Sequence, residues 1–114
     1  LKQKRYRIAI ARFRTSSHNL EIERGRHARP VISQENRLCK QCNENKIEDE
    51  IHHLLDCPAF AVLRKELLDL LIDTYPSFDS KSSHEKLTTI LNTKNKDILV
   101  LLGQFLINAD KIRT

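Results

Sequence analysis

Tryptophan and methionine are absent from this 114-residue chain, and two Tyr and four Phe are its only aromatic residues. So few aromatics, beside 31% charged residues, describe a soluble, mostly helical, intracellular protein better than a secreted sandwich. Long hydrophobic runs are missing as well. The longest, residues 98–102, falls far short of the roughly 20 residues that a bilayer span takes, so no membrane partner is expected. Residues 1–14 are interleaved with Lys and Arg and form no signal-peptide core. Methionine is lacking even at position 1, which reads as a piece of a longer open reading frame whose catalytic centre, if any, lies elsewhere. Cysteine is scarce and odd in number. Three cannot all pair as disulfides, and the close spacing of Cys39 and Cys42 suits a metal better than a bridge.

Charge is present but uneven. Residues 1–30 hold nine Lys or Arg against Glu21 and Glu23, whereas the remainder holds eleven against thirteen acidic residues, within an overall +5. Basicity concentrated in the N-terminal third points to an acidic partner, with nucleic acid as the leading candidate.

From residue 2 to 15, Tyr6, Ala9, Ile10 and Phe13 recur at helical spacing, with Lys4, Arg7 and Arg14 on another stripe and Arg5 and Arg12 beside it. This predicts an amphipathic basic helix. Residues 16–30 carry Leu20 and Ile22 in alternation, then Gly25 and Pro30, which predicts an extended, turn-rich connection with Arg24, Arg26 and Arg29 at the surface. Pro58 suits the first position of a helix capped by Cys57, which runs to about residue 73 on Phe60, Leu63, Leu67, Leu70 and Leu71. After a polar connection at 79–83, residues 84–92 should form a short helix burying Leu87, Ile90 and Leu91. Asp97 is the expected cap of a last helix, about 97–111, whose Ile98, Leu101, Leu102, Phe105, Ala109 and Ile112 face the core. Gly103 within it costs about 1 kcal/mol relative to Ala and marks a close helix crossing.

All three cysteines and two of the five histidines lie between residues 39 and 57. A closed zinc site wants four thiolate or imidazole ligands in a tetrahedron, and C-x2-C on a tight turn commonly supplies two of them. Cys39 and Cys42 fit, with Asn43-Glu44-Asn45 as a polar turn directing N–H groups to the sulfurs. His52 or His53 together with Cys57 would complete the set. A short helix over residues 49–55 would carry the histidines, Glu48-Asp49-Glu50 marking its N-terminus. At the N-cap of the following helix, the Cys57 thiol should be easier to ionise. A redox pair would leave Cys57 and the histidines idle, merely buried cysteines would need no such spacing, and an iron–sulfur cluster normally asks for a fourth cysteine. The fold class expected is all-α: one domain over 1–114, with a basic helix and connection (1–30), a zinc-binding turn (31–58) and a helical bundle (58–114).

Three blocks of sequence occur in order: His18-Asn19-Leu20-Glu21-Ile22-Glu23-Arg24-Gly25-Arg26, then Arg37-Leu38-Cys39 with Cys42, then Glu48-Asp49-Glu50-Ile51-His52 with Cys57-Pro58. As a set they resemble the C-terminal zinc-binding region of reverse transcriptases from animal non-LTR retrotransposons, and the similarity extends over nearly the whole chain. The resemblance implies a Cys-Cys-His-Cys zinc module with Cys39, Cys42, His52 and Cys57 as ligands, and His53 at a place that is often aromatic, turned toward the next helix or solvent. It implies no catalysis by this chain, the parent being an RNA-directed DNA polymerase with an endonuclease. The expected partners are RNA or DNA and the rest of that polyprotein, in the nucleus or a cytoplasmic ribonucleoprotein. Lys4, Arg5, Arg7, Arg12 and Arg14, with Arg24, Arg26 and Lys40, are the expected phosphate contacts. The alternative is a docking domain in which zinc serves only the fold. His18, His27 and His84 are expected to be hydrogen-bonded or exposed, with His18 the nearest candidate for a group behind the metal ligands.

Overall fold

Five α-helices are described in a computed structural model of residues 2–113: α1 (Lys2–Arg14), α2 (Glu21–His27), α3 (Ala61–Thr74), α4 (Ser83–Asn92) and α5 (Lys96–Arg113). The all-α class holds, and among the described residues the only β pairing is an isolated antiparallel bridge between Leu38 and Ile47. Helix α5 is the centre of the packing. Its Ile98, Leu102, Phe105, Leu106 and Ala109 recur every three or four residues on one stripe and are buried between α1 and α3. Helix α1 contributes Ile10 and Phe13 to this core, while α3 contributes Leu67 and Leu71. Leu63, Leu70, Leu91 and Leu101 pack half-buried around it.

The crossing of α1 on α5 is as close as Gly103 foretold. A Cβ at that position would lie 2.7 Å from Tyr6 Cγ and 3.0 Å from its Cα, so only glycine admits the α1 backbone there. Further along the chain, Ser82 and Glu85 form a reciprocal capping box at the start of α4. The Tyr75 hydroxyl and Thr93 Oγ1, 2.7 Å apart, tie the end of α3 to the end of α4.

Four expectations are corrected. Residues 21–27 are helical, not extended: Glu21 and Glu23 in the first turn and Arg24, Arg26 and His27 in the last favour the helix dipole, and Arg24–Glu21 and Arg26–Glu23 pair along it. The cap of α5 is Asn95, whose Oδ1 accepts the Asp97 and Ile98 N–H groups at 2.9 and 3.1 Å, and not Asp97. Ile112 is 57% exposed, because the inward stripe continues from Ala109 by four residues to Arg113. The helix predicted from Pro58 begins as a 3-10 turn, Pro58–Phe60, before α3 proper.

Gly103→Ala should therefore destabilise the fold, although alanine is the better helix former: about 1–3 kcal/mol is expected from overpacking, lowering the melting temperature by several degrees. A stabilised variant in thermal denaturation would contradict the crossing.

Candidate metal centre

Cys39 and Cys42 sit on a turn that is closed by local pairing. The Cys39 N–H donates to the Lys46 carbonyl at 2.8 Å, the Glu48 N–H donates to the Arg37 carbonyl at 3.0 Å, and Leu38 bridges Ile47. Asn45 makes the reversal with φ 55°, a left-handed conformation that asparagine tolerates better than most residues. The N–H aimed at a sulfur comes from inside the C-x2-C segment, Gln41 to Cys39 Sγ at 3.4 Å.

His52 and Cys57 come from a π-helical turn, His52–Asp56. Five residues advance about 140° around an α-helix, which would turn these two side chains apart. The wider turn, in which the Cys57 N–H reaches the His52 carbonyl five residues back at 2.7 Å, reduces that divergence. Side chains secure both ends of this short helix. Asp49 Oδ1 accepts the His52 N–H at 2.8 Å. At the other end Pro58 has no N–H to give and that of Cys57 is used, so Arg64 donates from Nε to the Leu54 carbonyl at 3.0 Å and from Nη2 to the His53 carbonyl at 3.1 Å. Arg64 is only 4% exposed and lies over the Phe105 ring.

These elements bring Cys39, Cys42, His52 and Cys57 together, with their donor atoms all within 4.8 Å of one another, an arrangement that can hold a metal ion. Cys39 Sγ and Cys57 Sγ are 3.9 Å apart, and Cys42 Sγ is 3.4 Å from His52 Nε2. Burial pushes the Cys39 thiol up to about 12 despite the opposing N–H groups of Gln41 and Cys42. Burial likewise raises Cys57, against the Ala59 N–H that lowers it, so the N-cap effect expected from sequence is present but overruled. A metal cation is what such a donor set needs to hold thiolates in a buried place.

His53 lies outside the group and faces neither solvent nor α3 alone. It is 4% exposed and packs against Phe13, Phe60 and Phe105 at ring-centroid distances of 6.4, 5.1 and 5.5 Å. Burial holds its pKa down at about 4, and its Nδ1 has no hydrogen-bond partner among the described residues. His18 pairs with Glu50 at 2.5 Å, which holds that carboxyl below its usual range, while His27 and His84 are exposed.

The three acidic residues 48–50 do three different things. Asp49 caps, Glu50 pairs with His18, and Glu48 is completely buried. Glu48 accepts from Arg113 Nε at 2.9 Å and Nη2 at 2.5 Å, from the Glu21 N–H at 2.8 Å, and stands 3.7 Å from Cys39 Sγ. Burial, the largest single effect, would raise its pKa, but the Arg113 hydrogen bonds, the Glu21 N–H and the Arg113 charge together outweigh it and lower it. Arg113 is in turn held by the side chain and carbonyl of Asn19. Sequence reading missed Glu48, Arg64 and Arg113 as parts of the site, since their partners lie nine to sixty-five positions away.

The expected phosphate contacts divide into two sets. Lys4, Arg5, Arg7, Arg12 and Arg14 are exposed on α1 and make no ion pair among the described residues. Arg24, Lys40 and Arg26 are exposed too, but the first two approach Glu21 at 3.4 and 3.7 Å and the third approaches Glu23 at 3.5 Å. Comparison of the chain with protein-family models, curated proteins and solved structures finds no match.

Removing Arg113 would strand the buried Glu48 carboxylate. Arg113→Ala should cost about 3–5 kcal/mol in denaturant unfolding, and Glu48→Gln in the same chain should restore a large part of it. Equal stability of Arg113→Ala and the parent would show that the pair does not hold the fold.

Proposed function

We propose that this chain is a non-catalytic, zinc-stapled module that binds the phosphate backbone of RNA or DNA with little sequence preference. The observation that carries the binding is the α1 face: five exposed basic side chains without an acidic partner among the described residues, on a chain of formal charge +5. Side chains spaced on successive turns of one helix follow a polyanion, and their contacts release counterions without reading bases.

Zinc is the metal the donors fit. Tetrahedral coordination with bonds of about 2.3 Å to sulfur and 2.0–2.1 Å to nitrogen puts ligand atoms about 3.8 Å apart for two sulfurs and about 3.6 Å for sulfur and nitrogen. The 3.9 and 3.4 Å separations agree with those edges. Three thiolates and one imidazole form a closed set with no position for substrate, which favours a structural role. Bound there, zinc supplies a cross-link between the Cys39–Cys42 turn and the His52 helix. The motif resemblance to the C-terminal region of non-LTR retrotransposon reverse transcriptases supports the same reading, with the polymerase and endonuclease in other parts of such a polyprotein. A second reading, docking on a protein partner, draws on Val31 and Val62, apolar side chains 63% and 90% exposed.

One zinc per chain is expected in native mass spectrometry. His52→Ala should lower zinc affinity sharply. His53→Phe should keep the metal and leave stability equal or raised by about 1–2 kcal/mol, since it removes an unpartnered buried nitrogen. A chain that folds fully without metal, or binds it undiminished after Cys42→Ser, would overturn the zinc reading.

Titration with labelled single-stranded RNA and duplex DNA should show log K falling linearly with log salt, with a slope of roughly −0.7 to −0.9 per phosphate contacted. The pair Arg7→Glu and Arg14→Glu should weaken binding more than about ten-fold with zinc content intact. Arg24→Ala with Arg26→Ala, whose cations are already paired, should change it much less. Absence of binding at low salt in the zinc-loaded protein would favour the docking reading.

A further inference from the structure

Helix α1 carries no acidic residue and lies against α5 with Tyr6, Ile10 and Phe13 inward. Seven residues return almost to the same side of a helix, so Arg5 and Arg12 share one edge of α1 and Arg7 and Arg14 share another. Two residues advance about 200°, which sets these edges about 160° apart by the shorter way round. That shorter arc is the solvent side. Lys4, Ile8 and Ala11 lie within it, and they and the four arginines are all exposed. A phosphate backbone running along one edge would meet two of the arginines and leave the other two unused, whereas a ligand with a backbone on either side of α1 would engage all four.

We infer that α1 lies in the major groove of duplex DNA, with Arg5 and Arg12 on one backbone and Arg7 and Arg14 on the other. The inference rests on the phosphate-binding reading of α1 and names the form of nucleic acid and the way it is gripped. A helix with its side chains is about 10–12 Å across and the major groove of B-form DNA is about 12 Å wide, so the two edges face the two backbones. On the Arg5–Arg12 side, an open cleft of about 670 Å³ lies between that edge and the last turns of α5, which leaves room for a sugar–phosphate backbone beside the helix. The α5 wall of the cleft bears Lys111 and Asp110, of opposite sign, so the excess of positive charge there comes from α1. Ile8 and Ala11, at the centre of the exposed ridge, can approach base edges and thymine methyl groups without demanding a hydrogen bond, in keeping with little sequence preference. Duplex RNA offers no such seat, since its major groove is deep and narrow. A single strand has one backbone and meets one edge.

The test measures affinity of the zinc-loaded full chain, across several salt concentrations, for three duplexes of one length. They are plain DNA, RNA, and DNA with bulky groups on pyrimidine C5, which fill the major groove and leave the phosphates as they are. Plain DNA should bind about ten-fold tighter than either of the others, because each denies one edge of α1 its backbone. On plain DNA, Arg5→Ala with Arg12→Ala, and separately Arg7→Ala with Arg14→Ala, should each lower the steepness of log K against log salt by about 1.8, two contacts at about 0.9 apiece. Equal affinity for the three duplexes would overturn the groove seat and leave backbone binding standing. A preference for DNA that survives filling of the groove would also overturn it, as would a slope lowered by one pair of substitutions and not by the other. Binding of single-stranded RNA alone would overturn the groove seat only, and binding of no nucleic acid at low salt would overturn both readings. The three-duplex comparison uses the unaltered protein, so it decides even where a variant does not fold.

Discussion

A fully buried carboxylate, Glu48, is the constraint around which this small protein is arranged. It sits between the Cys39 thiol and the N-terminus of α2, and its charge is tolerable there because Arg113, brought by the end of α5, meets it with two nitrogens. One pair thus joins three parts of the chain that share no local sequence. Its backbone does the same, the Glu48 carbonyl receiving the Ile22 N–H at 3.1 Å. Without Arg113, a metal-bound Cys39 thiolate and the Glu48 carboxylate would be like charges in a place from which water is excluded.

The segment bearing His52 depends on similarly distant help. Proline at 58 ends the helix at the right place for Cys57 but deprives its last carbonyls of a donor. Arg64, from the first turn of α3, fills that need while its stem and guanidinium pack on Phe105. The candidate metal ligands are therefore not an appendage to the helical core. Cys39 and Cys57 belong to the same buried cluster as Phe60, Leu54 and Leu102, and burial that raises their thiol pKa values is the same burial that stabilises the fold. A chain of this size buries a limited core, so a metal held by these four side chains would carry weight in its stability.

On the outside, charge is sorted by what stands beside it. The cations of α2 and Lys40 lie against Glu21 and Glu23, which spends their charge within the protein; those of α1 are left facing solvent. The composition of residues 1–30 suggests a single basic patch, but in the folded molecule the acidic side chains of α2 neutralise part of it and leave the cations of α1 open beside a cleft. Such a division leaves the α1 cations without an acidic partner among the described residues, and any polyanion would meet them unneutralised.

How much of this was legible depended on the range of each interaction. Helical periodicity marked α1, α3, α4 and α5, because an apolar stripe is written in consecutive turns, and Gly103 marked the crossing because only close approach justifies a glycine there. The spacing of Cys39, Cys42 and Cys57 with a histidine at 52 or 53 marked a candidate metal-ligand set because two short local turns build nearly all of it, and the motif resemblance pointed to His52. Helix α2 escaped notice since its N-terminal N–H groups are met by Glu48, twenty-seven residues away, and no local cap announces it. The environment of His53, the caps supplied by Arg64, and the Glu48–Arg113 pair were decided only by tertiary structure. A buried charge or an orphaned carbonyl is satisfied by whichever side chain the packing brings within reach, and sequence distance does not record that.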